Sequence, residues 1–505
     1  MYLLENEYEA LHYTMCEGKG TFVESYAGVD KESFYALQYR LKEDGYTVVS
    51  AYDLWQNTFA VMEKGGDAVY LAYYPSIREM RAVSEPNSAY LTFADTPGKC
   101  RVQPLITQID LEDFGLSYVI RLSDGRFILL DGGWMFEPEA DKLMQCLREQ
   151  SPDAKPVIAA WIMTHPHLDH YRAYFPFAEK YAGQYVLERF IYNFPDAVEE
   201  NVPLMPELAS KADKEMEFLP LFDEAVAKSG VPVYRAHTGQ KYKFADTEIE
   251  ILSSPDDTLI VPVNFNDISL MMKMHIAGQT VLWTGDAQFG KAKMADRWGT
   301  YLKSDMYQMA HHGFNGGEIR SYNLIDPTVL LWPGFDFDCF GAPCYWNDFN
   351  QHILYNLNVQ DVITGGRGTV TLALPYTPRK NGRKLLFDRI EHFQKGAGVK
   401  TWIFDGMTKK DCIFTIYALN GANEVYADLI FENSGKKVTD IKISLRGQIS
   451  EKNLFDPADA DPDALFFNRT ALAKVEITEE DVFTVRFRSE RPIIVKGTKE
   501  PLYFA

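Results

Sequence analysis

The sequence lacks the long apolar segments that cross a membrane. None of its apolar runs approaches the roughly 18 residues that a bilayer-spanning helix requires. Residues 1–7 also lack the basic region and the extended apolar stretch of a secretory signal. We therefore expect a cytoplasmic protein with no membrane partner.

Cysteine is scarce, and its spacing argues against a disulfide scaffold. The 505 residues contain six cysteines, and none of them forms a C-x-x-C pair. Small secreted domains that depend on disulfides carry many more cysteines for their length. We therefore expect scattered reduced thiols, in agreement with a cytoplasmic location.

The sequence contains fewer basic residues than acidic ones. Lysine and arginine total 51 against 71 aspartate and glutamate residues, which gives a formal net charge of −20. An acidic surface repels phosphate backbones, so we do not expect a nucleic-acid partner. A bound metal ion could still attract a small anionic substrate, because a multivalent cation dominates the field around it.

Three regions differ in their pattern of apolar residues. Residues 1–100 combine a helical segment with short strands and predict a small N-terminal α+β extension. Strands alternate with helices over residues 101–377, as in an α/β domain. The stretch 375–384 is rich in proline, glycine and basic residues, which is typical of a linker. Residues 378–505 predict a C-terminal all-β domain, and the terminal domains offer surfaces through which an oligomer could form.

The main chemical signal is a histidine cluster after a short apolar run, Val157–Met163. Three histidines and an aspartate follow within six residues: His165, His167, Asp169 and His170. Imidazole nitrogens and carboxylate oxygens are ligands that suit zinc, iron and manganese. In an extended chain His165 and His167 project to the same side, whereas the next two side chains have to turn toward a second position. The spacing therefore predicts two metal ions side by side.

Further aspartates and histidines that could take part in the site follow other predicted strands. They are Asp131 before two glycines, Asp286 after a Thr-Gly pair, and the paired His311 and His312 before a glycine. Loops at one edge of a sheet are where α/β folds build their sites, so we expect these side chains to join the histidine cluster. His237 precedes its neighbouring strands, and we expect it to be a turn residue.

In this order the motifs resemble those of the metallo-β-lactamase superfamily. Its H-x-H-x-D-H motif corresponds to residues 165–170, and its later motifs correspond to Asp286 and His312. Its earlier aspartate corresponds to Asp131. The resemblance covers residues 101–376 and implies an α/β fold of the αββα sandwich type.

Within the superfamily, the chain looks nearest to the branch of competence-type DNA-internalisation proteins and phosphorylcholine esterases. The paired histidines before Gly313 and the asparagine-rich stretch Asn264–Leu270 carry this likeness. We expect Asn264 and Asn266 in that stretch to be structural turn residues, with an Asn266 that faces the metal site as the alternative. Two features depart from the pattern. A histidine in a G-H-T-x-G motif is absent, which leaves the first ion short of a ligand, and Ala342 stands where the branch has a histidine before proline.

The resemblance implies a role for each site residue. The predicted metal ligands are His165 and His167 for a first ion, Asp169, His170 and His312 for a second, and Asp286 between the two. Asp131 would orient a ligand histidine through its imidazole N–H. The predicted catalytic residues are Asp169, as a proton carrier, and His311, as a substrate contact or as a ligand in place of His312. The expected metal is zinc, as two ions or one, with manganese or iron as alternatives.

These features predict a metal-dependent hydrolase that acts on a small-molecule substrate. A metal-activated hydroxide would attack a small anionic ester or a phosphodiester. One alternative is a metal-binding sensor or scaffold with little turnover, which the missing third histidine favours. A nuclease is the other alternative, and it would need a basic groove that the overall charge does not favour.

Overall fold

The computed structural model describes residues 10–13, 20–112, 114–203, 205–211, 213–258, 264–314, 317–335, 339–340, 345–365 and 368–395, followed by the strands of the C-terminal region. The chain divides into two compact units. The first comprises Met1–Leu111, Gly115–Gly334 and Asp348–Lys380, and the second comprises Glu112–Phe114, Phe335–Asn347 and Asn381–Ala505. The predicted domain boundaries at residues 100 and 377 stay predictions.

Six antiparallel strands form one sheet in the N-terminal region. In spatial order they are Ala10–Tyr13, Phe22–Ala27, Glu79–Glu85, Asp67–Tyr74, Asn57–Lys64 and Thr47–Leu54. Helix Lys31–Glu43 begins after Asp30, whose Oδ1 accepts the backbone N–H of Ser33 at 2.9 Å. Its apolar face (Phe34 and Leu37) is buried in one cluster with apolar residues of the sheet. This is the predicted α+β arrangement.

Two larger sheets form the centre of the first unit. The first contains, in spatial order, Val233–Arg235, Phe190–Tyr192, Val157–Ile162, Phe127–Asp131, Ser117–Arg121, Leu105–Gln108 and Val370–Ala373, with Val186–Leu187 paired to Val157–Ile162. The second contains Lys241–Phe244, Thr247–Ser253, Met271–Ile276, Gln279–Trp283, Met306–Gln308, Val329–Phe335 and Asp361–Gly365. Each sheet has both parallel and antiparallel pairs.

Alternate residues of the strands face two separate cores. On strand Phe127–Asp131, Phe127 and Leu129 are buried together with residues of helix Glu137–Gln150. Ile128 and Leu130 point the other way, into a core shared with the second sheet. A strand covered on both faces must be apolar at every position, which explains the unbroken apolar runs of the sequence. The sheets therefore stack face to face, and the predicted αββα sandwich is confirmed.

Helices pack outside these sheets. Those of the first unit's central region are Glu137–Gln150, Leu168–Tyr171, Tyr174–Lys180, Glu215–Ser229, Met294–Trp298, Ile319–Ile325 and Asp348–Asn356. Short 3₁₀ turns lie at Ala89–Thr92, Glu199–Asn201, Pro206–Ala209, Pro255–Asp257, Asn266–Ile268, Gly299–Leu302 and Ala310–Gly313. On the second sheet's side, the ring of Tyr322 lies 5.8 Å from that of Tyr307 on strand Met306–Gln308. Within the described residues, no helix is both long and apolar enough to cross a membrane.

The second unit is rich in β-structure, as predicted. Its larger sheet contains, in spatial order, Ile441–Arg446, Val482–Arg488, Asn468–Ile477, Val425–Leu429, Thr415–Ala418, Lys400–Asp405 and Gln448–Glu451, and a smaller one pairs Phe431–Lys437 with Pro492–Val495. Helix Gly382–Lys395 precedes them, so the end of the predicted linker at 375–384 is helical instead. Within the described residues, Cys100, Cys146 and Cys339 form no disulfide bond.

His237 lies buried between the N-terminal sheet and the sandwich. Its carbonyl accepts the backbone N–H of Gln240 at 3.1 Å, so it occupies a turn as predicted. Its ring lies 4.6 Å from the ring of Tyr70 on the N-terminal sheet. Its Nδ1 is 2.7 Å from Asp256 Oδ2, and its Nε2 is 3.5 Å from Glu85 Oε2. Burial alone would lower the pKa of His237, but the two carboxylates raise it to about 9.

We predict that this imidazolium stabilises the folded protein at neutral pH and not at alkaline pH. The folded-state pKa lies above the unfolded value of about 6.5, so the contribution is complete below that pH and is lost as the pH rises through about 9. The shift corresponds to on the order of 3 kcal/mol at most. The free energy of unfolding of the wild type, measured by urea titration, should therefore exceed that of His237→Gln by a margin that shrinks between pH 6.5 and 9.5.

The control for this prediction is His275→Gln. His275 is partly exposed and lies 3.2 Å from Glu250, so its replacement should change stability little. A margin between wild type and His237→Gln that stays constant across this pH range would contradict the prediction.

Candidate metal centre

The predicted site residues follow neighbouring parallel strands in each sheet. In the first sheet, Phe127–Asp131 ends on Asp131 and runs parallel to Val157–Ile162, which leads into the histidine cluster. In the second sheet, Gln279–Trp283 leads to Asp286 and runs parallel to Met306–Gln308, which leads to the paired histidines. Parallel strands end at the same edge of a sheet. Stacking the two sheets therefore brings all four loops together.

Gly285 allows two of these loops to approach closely. A Cβ atom at this position would lie 2.8 Å from the Cβ of Thr164, and the glycine has a φ of +52°. The buried amide of Gln308 also links the loops of the second sheet. Its Oε1 accepts the backbone N–H of Thr284 at 2.8 Å, and its Nε2 donates to the carbonyl of Gly285 at 3.0 Å. Asp286 is thereby fixed against the histidine loops.

Four buried side chains converge on one point: Asp169, His170, Asp286 and His312. Their ligand atoms all lie within 4.8 Å of one another. The Nε2 atom of His170 is 3.4 Å from Asp169 Oδ2 and 3.3 Å from Asp286 Oδ2. The Nε2 atom of His312 is 3.2 Å from each of these two oxygens. We call this group the metal quartet.

The metal quartet fits a tetrahedral metal ion. Nitrogen and oxygen ligands about 2.0–2.1 Å from a zinc ion lie about 3.3–3.4 Å from one another in a tetrahedron. The four imidazole–carboxylate separations, 3.2–3.4 Å, match this edge length, and the two other separations do not exceed 4.8 Å. His170 Nε2 and Asp286 Oδ1 are also buried without a hydrogen bond, which is costly unless another partner, such as a cation, satisfies them.

Asp131 holds His170 in its orientation. Its Oδ2 lies 2.8 Å from His170 Nδ1 and accepts the Thr164 hydroxyl at 2.7 Å, and its Oδ1 accepts the backbone N–H of Thr164 at 2.7 Å. A carboxylate accepts hydrogen bonds, so His170 Nδ1 carries the proton and Nε2 is free to bind a metal. The predicted orienting role of Asp131 thus has a specific partner, His170.

A second group of imidazoles lies beside the metal quartet. His165 Nε2 is 3.0 Å from His167 Nδ1 and 4.0 Å from Asp286 Oδ2. His311 Nε2 is 3.9 Å from the same carboxylate oxygen and 3.3 Å from the amide nitrogen of Asn266. Asp286 therefore lies between the two groups. The distances from these imidazoles to Asp286, 4.0 and 3.9 Å, are longer than those in the metal quartet, so this half of the site is less compact.

The pKa values of the metal quartet reflect its charge balance. Burial alone would raise the pKa of Asp169 and Asp286, but the facing imidazoles hold both well below the usual value. Burial opposes protonation of His312, yet the two carboxylates raise its pKa to about 9. The carboxylates thus keep their negative charge in a buried site and demand a positive partner, which protons or a metal cation can supply.

The pKa values of His165 and His311 shift in the opposite direction from that of His312. Burial is the largest influence on both and lowers the pKa of each below its ordinary value, to a large extent for His165. Both are therefore neutral at pH 7, the form in which an imidazole binds a metal.

Three residues at the centre adopt left-handed backbone conformations. Asp131, His311 and His312 have φ values of +52°, +52° and +51°. Non-glycine residues in this region cost on the order of 1–2 kcal/mol each and persist where the surroundings hold them. The strain falls on residues that build the centre, which is where functional constraints tend to concentrate it.

All the predicted metal ligands and catalytic residues meet at this one centre: His165, His167, Asp169, His170, Asp286, His311 and His312. Their individual roles stay predictions. His237 lies elsewhere, beside Glu85 and Asp256. Asn266 does occupy a 3₁₀ turn as predicted, but it also contacts His311. The predicted departure at Ala342 lies outside the described residues.

Sequence reasoning missed two residues of the centre. Thr164 is bound by Asp131, and its hydroxyl lies 3.0 Å from His165 Nδ1. Glu207 Oε2 lies 3.4 Å from His167 Nε2. Thr164 directly precedes the histidine motif and could have been found from that position. Glu207 follows no strand, and no local pattern marks it.

Comparison with known proteins shows what the central region is similar to. Residues 111–327 match the model of the metallo-β-lactamase superfamily. The chain is 13% identical to MEM-A1, a subclass B3 metallo-β-lactamase from a soil metagenome library, over 54% of this chain and 80% of that one, with a TM-score of 0.23. It is 10% identical to a flavo di-iron protein variant from Thermotoga maritima, over 77% of this chain and 63% of that one, with a TM-score of 0.21. No curated protein matches the sequence.

We predict that Asp131→Asn weakens metal binding by 10- to 100-fold. The amide has one acceptor oxygen in place of two and no charge, so it cannot satisfy both Thr164 and His170. The affinity is measured by Zn²⁺ titration in competition with a chromophoric chelator. The matched control is Asp305→Asn, because Asp305 binds Thr280 in a similar way away from the centre. Equal affinities in wild type and Asp131→Asn would show that the orientation of His170 does not depend on Asp131.

Proposed function

We propose that the metallo-β-lactamase superfamily domain at residues 111–327 is a metal-dependent hydrolase of small molecules. The observation that carries this proposal is the metal quartet, in which two buried imidazoles face two buried carboxylates at 3.2–3.4 Å, the ligand separation of a tetrahedral zinc site. The proposed location, the cytoplasm, rests on the sequence alone. The likeness to the competence-type and phosphorylcholine esterase branch also stays a prediction.

The proposed centre holds two ions. Asp169, His170 and His312 bind the second ion, and Asp286 lies between it and the first. His165 Nε2 and His167 Nδ1, which lie 3.0 Å apart in a hydrogen bond, would bind the first ion once the ion takes the place of the shared proton. His311 is the candidate for the imidazole that the missing G-H-T-x-G histidine would have supplied. Zinc suits this set of ligands, with manganese and iron as alternatives.

The residues of the centre have distinct tasks in hydrolysis. Bound metal ions supply a hydroxide nucleophile at neutral pH and polarise the bond to be broken. Asp169 is the proposed proton carrier, a role that requires its pKa to rise from the low value that the facing imidazoles impose. His311 has 22% of its side chain exposed, whereas that of His165 is fully buried. The exposed edge of His311 is therefore available to contact a substrate.

The proposed substrate is a small anionic ester or phosphodiester. The net charge of −20 gives no support to binding a long polyanion. Close to the centre, the ammonium of Lys291 is 2.7 Å from Asp267 and is thus already neutralised. Bound metal ions would then be the main attraction for a substrate anion, and they act over a short range.

A sensor or scaffold is the second candidate, and one observation favours it. The distances from Asp286 Oδ2 to His165 and His311 are 4.0 and 3.9 Å, longer than the edges of the metal quartet. A first ion that binds weakly would leave a single tightly held ion and little turnover.

We predict two zinc ions per chain and turnover that depends on Asp286. Metal content is measured by elemental analysis after dialysis against a low Zn²⁺ concentration. Turnover is measured with bis(p-nitrophenyl) phosphate and with p-nitrophenyl esters. Asp286→Asn should lower kcat/KM by 100-fold or more, because it removes a charge shared by both halves of the centre. His275→Gln, remote from the centre, should leave kcat/KM unchanged.

The outcomes separate the candidates. Metal-bound protein without turnover on any of these probes would favour the sensor. Cleavage of DNA that exceeds cleavage of the small probes would favour a nuclease. Protein that binds no stoichiometric metal would refute the proposed function altogether.

A further inference from the structure

Glu207 lies outside the strand-end loops, yet it reaches the metal centre. It belongs to the 3₁₀ turn Pro206–Ala209, in the connection between the second and third strands that follow the histidine cluster. Its Oε2 atom is 3.4 Å from His167 Nε2 and accepts the backbone N–H of Phe265 at 2.6 Å. About a third of its side chain is exposed. The carboxylate is therefore held by a backbone donor and aimed at one nitrogen of His167.

His167 uses its two ring nitrogens in opposite directions. Nδ1 faces His165 Nε2 at 3.0 Å, on the side of the centre, and Nε2 faces Glu207. The ring of Phe265 meets the His167 ring edge-to-face, with the centroids 5.5 Å apart. The imidazole is thus confined by a histidine, a carboxylate and an aromatic ring, which leaves it little freedom to turn.

The same arrangement occurs at His170 with the nitrogens exchanged. There the Asp131 carboxylate engages Nδ1 at 2.8 Å, and Nε2 faces the metal quartet. In both cases a carboxylate faces the nitrogen that points away from the centre, through a hydrogen bond from Asp131 and as an ion-pair contact at 3.4 Å from Glu207. A carboxylate in this position fixes the tautomer of a ligand histidine and raises its basicity.

We propose that Glu207 is a positioning residue that holds His167 as the Nε2–H tautomer, with Nδ1 turned toward the first ion. This inference rests on the proposed metal-dependent function, because it concerns the tautomer of His167 when that ion is bound. Glu207 would thus orient His167 as Asp131 orients His170. It also makes the affinity of the first ion depend on a segment that carries no ligand.

The first experiment reads the tautomer directly in zinc-loaded protein, because without the ion His167 Nδ1 shares a hydrogen bond with His165 Nε2 at 3.0 Å. Long-range ¹H–¹⁵N spectra of protein labelled at histidine distinguish Nε2–H from Nδ1–H rings, and His167→Gln assigns the signal. We expect the Nε2–H tautomer in the wild type and a mixture of forms in Glu207→Ala. Glu207→Gln keeps an acceptor oxygen and should retain much of the wild-type form. An Nδ1–H tautomer in the wild type, or no change in Glu207→Ala, would overturn the inference.

The second experiment measures the two ions separately by Zn²⁺ titration against a chelator. The first ion is identified as the one whose binding is lost in His165→Ala. Glu207→Ala should weaken that ion by 10- to 100-fold and leave the other within twofold, and Glu207→Gln should have a smaller effect. The matched control is Glu200→Ala, an exposed glutamate of the same connection. Circular dichroism confirms that each variant is folded.

The results distinguish this inference from the proposed function. If the wild type binds two ions and Glu207→Ala does not weaken the first, the positioning role is wrong and the hydrolase proposal stands. If the wild type binds no ion, the hydrolase proposal fails and this inference fails with it. Binding of a single ion that is unaffected by His165→Ala would overturn the part of the inference that concerns the metal.

Discussion

The rest of the centre depends on two buried carboxylates, Asp169 and Asp286, whose negative charge must be balanced. Each lies within 3.4 Å of imidazole nitrogens and is almost entirely shielded from water. Burying two negative charges this close together is unfavourable unless positive charge balances them. The imidazoles of His170 and His312 can do so as cations, and a divalent metal can do so in their place. Metal uptake at this site must therefore displace protons, and the fold has to hold its ligands in place without the ion.

That requirement explains the network behind the ligands. Asp131 joins the histidine loop to the end of its own strand, since it binds both Thr164 and His170. Gln308 joins the loop of Asp286 to the strand that leads to the paired histidines. Both connections are buried and run between neighbouring parallel strands. The two sheets and their register thus fix the geometry of the centre, and the loops that carry the ligands can move little.

The sequence predicted this half of the centre because its cause is local. A ligand directly after a buried strand has a position fixed by that strand, so apolar runs followed by histidine or aspartate were sufficient signals for Asp131, Asp286 and the 165–170 cluster. The fold followed from the same runs, since strands buried on both faces are apolar throughout. Asn266 was harder, because an asparagine in a turn has an adequate explanation without its contact to His311. His237 was correctly kept apart from the centre by its place before its strands.

Glu207 could not be predicted in this way, and the reason is physical. Its position depends on how the long connection after strand Phe190–Tyr192 folds back and on the backbone N–H of Phe265, more than fifty residues later in the chain. No periodicity records a contact between two irregular segments. The two halves of the centre therefore differ in what holds their ligands in place. The half around His170 is held by residues on strand ends, whereas the half around His167 is held by the packing of one connection against another. Since such connections are generally less stable than the sheets, the first ion's affinity should respond to changes far from any ligand, while the second ion's should not.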